Sequence, residues 1–85
     1  IHTVTNGDLE IIECVLPNDS PVNGKKVKEL SDPGKYLVLL DKHSGNEDYE
    51  IANGETVVSI GDHLVLISQA DYSKKILEFF GNNRE

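Results

Sequence analysis

The longest unbroken apolar run in this chain is Tyr36-Leu37-Val38-Leu39-Leu40. A helix that spans a bilayer needs about 20 apolar residues, so no segment inserts into a membrane and the runs read as short strands. Apolar side chains stand on both faces at the start of residues 36–43, the pattern of a strand central in its sheet, before Asp41, Lys42 and His43 carry it into polar surroundings. Residues 8–16, "DLEIIECVL", alternate as a first strand, with Ile12, Cys14 and Leu16 on one face and Leu9, Ile11 and Val15 on the other. Glu10 and Glu13 fall on opposite faces of it.

Turn residues punctuate the rest. "PNDSPVNGKKVKEL" places Ser20 at an N-cap and Pro21 at the first helical position, with Val22, Val27 and Leu30 as the buried stripe. Gly24 interrupts that pattern, which predicts a close backbone approach there, and Pro33-Gly34 ends the helix. "SGNED" turns the chain, "YEI" returns it as a hairpin arm, and Asn53-Gly54 turns it again. "ETVVSI" and "HLVLIS" follow as strand-like runs that flank Gly61-Asp62, where glycine can take a positive φ and the aspartate can hydrogen-bond its own turn. Tyr72, Ile76, Leu77 and Phe80 recur at helical spacing, with Asp71 as N-cap and Gly81 as C-terminal cap. The expected fold is α+β, a small mostly antiparallel sheet with two short helices in the order β-α-β-β-β-α. Residues 1–7 read as a lead-in or linker remnant, 8–81 as the domain and 82–85 as a tail.

With 85 residues there is one domain, of a size that often needs a staple or self-association. Cys14 is the only cysteine, which excludes an intrachain disulfide and a cysteine-based zinc site, and its mid-strand place makes it a buried, unreactive thiol. His2, His43 and His63 lie far apart without ligand spacing, so no metal site is expected from them. Self-association is the remaining supplement, and a homodimer is expected. Fifteen acidic against eight basic residues give a net charge of −7, a field that repels nucleic acid and anionic lipid. The first residue, Ile1, suggests a piece of a longer polypeptide or a processed chain.

Ser20-Pro21, Gly24-Lys25 and Glu29-Leu30, then residues 38–40, Gly54, Thr56, Gly61-Asp62 and residues 64–67, stand in the order and spacing that resemble the C-terminal domain of the TrkA/RCK family. Ala52 stands where many members have proline, and the strand that often ends in arginine ends here with Lys42 and His43. The resemblance implies a noncatalytic cytoplasmic regulatory domain, tethered at the inner face of the cell membrane to a potassium or other monovalent cation transporter, antiporter or channel. It also implies a ligand site at or near a dimer interface, with cyclic di-AMP bound by some relatives. In a chain this acidic, an anion finds its contacts at Lys42 and His43, with Leu40, Tyr49 and Ile51 as an apolar wall. Ser20, Pro21, Gly24, Gly54, Gly61 and Asp62 are read as structural. Glu47, Asp48 and Glu50 gather carboxylates that a cation could use, but lack a calcium-loop pattern and read as a solvated turn. No nucleophile and base stand in a legible order, so no catalytic residue is expected. An assembly domain that dimerises transporter subunits without a ligand is the competing expectation.

Overall fold

The computed structural model describes residues 2–6 in backbone only, and residues 8–30, 32 and 34–81 in full. Five strands, β1 (His2–Asn6), β2 (Leu9–Val15), β3 (Tyr36–Lys42), β4 (Glu50–Ile51) and β5 (His63–Gln69), form one sheet in the order β1-β2-β5-β3-β4. Every neighbouring pair is antiparallel. A single helical turn, α1 (Val27–Leu30), follows β2. A 3₁₀ turn over Ala70–Tyr72 leads from β5 into α2 (Ser73–Phe80). The class is the expected α+β, and the order of elements matches apart from two segments.

Residues 2–6, expected as a lead-in, pair with β2 from His2↔Glu13 to Asn6↔Leu9. Without them the outer backbone groups of β2 would form an open edge. Residues 55–60, read as a strand-like run, stay outside the sheet. Their backbone bonds go instead to the loop before α1, through Gly24 N–H to Val58 O at 2.8 Å, Val58 N–H to Lys25 O at 3.0 Å and Val27 N–H to Thr56 O at 2.8 Å. Lys26 and Lys28 also each reach the exposed carboxylate of Glu55 at 2.9 Å. The segment thereby packs Val58, fully buried, as a lid over the inner face of the sheet.

That inner face and the elements above it make the core, from Ile12, Cys14 and Leu16 of the first β-rich run, Tyr36 and Val38 of β3, Leu64 and Leu66 of β5, and Val22, Val27, Leu30, Ile76 and Phe80. Ile12 and Cys14 of β2 share the buried face, and of the expected helical stripe Ile76 and Phe80 are buried while Tyr72 and Leu77 are half-buried. Tyr36 stacks on Tyr72 at 5.9 Å between ring centroids and meets the edge of Phe80 at 6.2 Å.

β5, not β3, is the central strand, although β3 is still paired on both sides. The other face of the sheet carries Leu9, Val15, Leu37 and Ile51, all exposed, beside half-buried Ile11, Leu40, Val65 and Ile67. Both faces of β3 are apolar, as read, but among the described residues only one is covered.

A β-bulge decides what β3 presents to each side. Val38 pairs with Leu66 and Leu40 with Val65, so Leu39 is an extra residue and the alternation slips by one. Leu40 consequently turns to the outer face, and Asp41, expected in polar surroundings, turns inward and is fully buried.

The cap assignments differ in instructive ways. Residues 21–24 form turns rather than helix, and Ser20 serves α2 instead of α1, its hydroxyl donating to Phe80 O at 2.8 Å. Asp71 lies in the 3₁₀ turn and makes no cap, the residue before α2 being Tyr72. Gly81 does cap α2, at φ +94°. Gly24 has open space where a Cβ would stand, so its positive φ, not a close approach, explains it. Pro33 and the tail at 82–85 lie outside the described residues.

Candidate functional site

The bulge brings together three side chains. Asp41, on the last part of β3, His43, just beyond its end, and Asp62, before β5, place ligand-type atoms within 4.8 Å of one another. His43 Nδ1 lies 2.9 Å from Asp62 Oδ2 and 3.6 Å from Asp41 Oδ2. On the solvent side, His43 Nε2 faces Glu50 Oε1 at 3.9 Å, because Glu50 pairs with Asp41 across β3 and β4.

Asp62 is oriented by the turn it belongs to. Its Oδ1 accepts from Ser44 N–H at 3.2 Å and its Oδ2 from Ser59 N–H at 3.1 Å. Gly61 precedes it at φ +85°, as the Gly-Asp reading expected. Asp41 is different. It is fully buried, and neither carboxyl oxygen receives a hydrogen bond from any described N–H or O–H donor.

Burial pushes the Asp41 carboxyl up to about 7, the Asp62 carboxyl beside it adds to the rise, and the His43 imidazole offsets part of it. For His43, partial burial pulls downward, but Asp41, Asp62 and Glu50 together win and hold the imidazole above its usual range. Both shifts act on stability with one sign. Folded Asp41 keeps a proton that the unfolded chain releases between about pH 4 and 7, and folded His43 keeps one beyond 6.5, so each contribution is lost as pH rises. Chelator-treated protein should therefore show a higher urea midpoint at pH 5.5 than at pH 8. Asp41→Asn should flatten that slope, separating it from the general self-repulsion of an acidic chain. An equal midpoint at both values would refute the assignment.

The anion-site residues read from the sequence are placed on the β3–β4 hairpin. Leu40 pairs with Ile51, which is 83% exposed, and Lys42 Nζ stands 5.7 Å from the Tyr49 ring centroid. Lys42, Leu40, Tyr49 and Ile51 thus share one region, while His43 directs Nδ1 to the buried carboxylates. Of the acidic turn, Glu50 alone approaches the cluster, and Glu47 and Asp48 are exposed. Cys14 is buried and its thiol is pushed up to about 12 by desolvation, in keeping with an unreactive thiol. Sequence reasoning missed Asp41. The available signal was a carboxylate inside an otherwise apolar strand, two residues before a histidine.

Residues 11–81 match the TrkA-C domain, and the chain belongs to that family. It is also 26% identical over 81 residues to a Trk system potassium uptake protein TrkA homolog of Archaeoglobus fulgidus, an alignment that covers 95% of this chain and 18% of that protein. The chain thus spans under a fifth of the length of this relative. Among the described residues, no helix is long and apolar enough to cross a membrane.

Proposed function

We propose that this chain is a noncatalytic regulatory domain of a potassium or other monovalent cation transporter, antiporter or channel, acting as a homodimer that senses a small anionic ligand. Membership of the TrkA-C family supports the class, and the potassium-uptake relative supports the ion. The domain would then work at the cytoplasmic side, held to the membrane by the rest of its protein or by a partner chain. Its charge of −7 argues against nucleic acid as a partner.

The observation that carries the dimer is the outer face of the sheet, which no described residue covers. Leu9, Val15, Leu37 and Ile51 are 47%, 44%, 44% and 83% exposed, and they share that face with Ile11, Val65 and Ile67 and with the polar Glu13, Lys42 and His63. A second copy suits such a face because an isologous contact covers both surfaces at once. For the ligand, Lys42 supplies the charge and Leu40, Tyr49 and Ile51 the apolar wall, on the same face as the proposed interface. Cyclic di-AMP is the first candidate. A ligand that prefers one dimer arrangement shifts the population toward it, and the linked membrane portion follows.

Sedimentation at micromolar concentration, with and without cyclic di-AMP, tests both parts. A two-subunit species that Ile51→Asp and Leu37→Asp dissociate is expected, with a ligand-dependent change that Lys42→Ala weakens. A monomer up to near-millimolar concentration removes the dimer. A persistent dimer indifferent to nucleotides supports the assembly-domain reading instead.

A further inference from the structure

We propose that Asp41, His43 and Asp62 form a binding site for a divalent first-row transition metal ion such as Zn²⁺. Charge is the first argument. Two carboxylates with 0% and 1% exposure stand beside one imidazole, so both can be ionised together only if a cation is added to His43, and without one a proton on Asp41 balances the charge. The nearest ammonium in sequence, that of Lys42, lies over the Tyr49 ring. Asp41 has His43 at 3.6 Å for an ion pair, but its buried oxygens have no hydrogen-bond donor among the described residues.

Geometry is the second argument. Zinc bonds of about 2.0–2.1 Å to nitrogen and oxygen give a tetrahedral edge of roughly 3.4 Å. The separations of 2.9 and 3.6 Å from His43 Nδ1 to the two carboxylates bracket that edge, so small side-chain adjustments suffice to enclose an ion. The Ser44 and Ser59 N–H groups hold Asp62 in place before any ion arrives. Glu50 lies 3.9 Å from the opposite ring nitrogen of His43, too far for a hydrogen bond but near enough to add negative charge beside the imidazole. The His43 side chain is 34% exposed, so one side of the cluster meets solvent.

The donor set selects the kind of ion. Two carboxylates and one imidazole nitrogen suit zinc, manganese or cobalt, whereas calcium takes six to eight oxygens. The site is separate from the proposed anion surface and does not depend on it, since Leu40, Lys42 and Ile51 point to the outer face and Asp41 to the inner.

Calorimetric titration of the chelator-treated 85-residue chain with zinc chloride tests the proposal. One equivalent should bind at micromolar or lower Kd, and zinc at 100 times Kd should raise the unfolding midpoint by about 10–20 °C. Asp41→Asn and His43→Ala, each shown by circular dichroism to remain folded, should weaken binding by at least about tenfold. His63→Ala, outside the cluster, should leave it unchanged. Zinc binding that survives both Asp41→Asn and His43→Ala would overturn the site. So would the absence of binding up to about 1 mM zinc, and in that case a proton on Asp41, not a metal, balances the charge.

Discussion

Replacing Phe80 with alanine is expected to remove about 3–5 kcal/mol of stability, the usual cost of emptying a buried aromatic site. Phe80 is fully buried at the last turn of α2, with its ring edge-on to Tyr36 and its carbonyl accepting the Ser20 hydroxyl. Truncation opens a cavity where α2, β3 and the Ser20 turn meet, while the main-chain carbonyl that accepts the Ser20 hydroxyl stays in place, so the loss reports the ring alone. A domain of 85 residues has about 4–13 kcal/mol in total, so the variant should lose a quarter or more of its stability. Urea unfolding measures the loss directly. Phe79→Ala is the control, because Phe79 is adjacent and aromatic but 45% exposed, and it should lose only about 1 kcal/mol. Equal losses at the two positions would mean that the core does not turn on Phe80.

The same comparison shows what the sequence could and could not disclose. Ile76 and Phe80 recur at a helical interval, and Ile12 and Cys14 at the interval of a strand, so their burial follows from period alone. Residues 2–6 mix Thr and Asn with little apolar content, and only the free edge of β2 makes them a strand. Residues 55–60 have a strand's composition, but their hydrogen-bonding partner is the loop around Lys25, a pairing between segments that no local pattern reveals.

The candidate site was hidden by one residue. If β3 alternated without interruption, Leu40 would face inward with Tyr36 and Val38, and Asp41 would meet solvent. The bulge at Leu39 inverts that parity and delivers a carboxylate to the buried end of the sheet. His43 and Asp62 were both legible, one as a basic group at a strand end and the other as a turn residue. Their meeting at 2.9 Å depends on β3 and β5 lying side by side, which neither stretch announces.

Gly61→Val is the second large effect, and it probes that meeting point from the backbone. At φ +85°, a β-branched residue is strained by about 1–3 kcal/mol. A Cβ at this position would also stand 3.2 Å from both Cβ and Oγ of Ser44, the residue whose N–H holds Asp62 Oδ1. The turn cannot easily move away, because Gly61 N–H donates to Leu16 O at 2.9 Å and Leu16 N–H to Asp62 O at 3.0 Å. Gly24→Val supplies the comparison. Gly24 has the same φ of +85° with open space around its Cβ position, so that variant carries the backbone strain without the contact. Thermal and urea unfolding should show both destabilised, with Gly61→Val the worse of the two. Gly61→Val should also weaken zinc binding, while Gly24→Val leaves it intact, because only the former pushes on Ser44 and so on the Asp62 carboxylate. Unchanged unfolding of Gly61→Val would mean that the turn before β5 tolerates an ordinary side chain. Equal losses at the two glycines would show that the Ser44 contact relaxes freely and that the carboxylate is positioned by other groups.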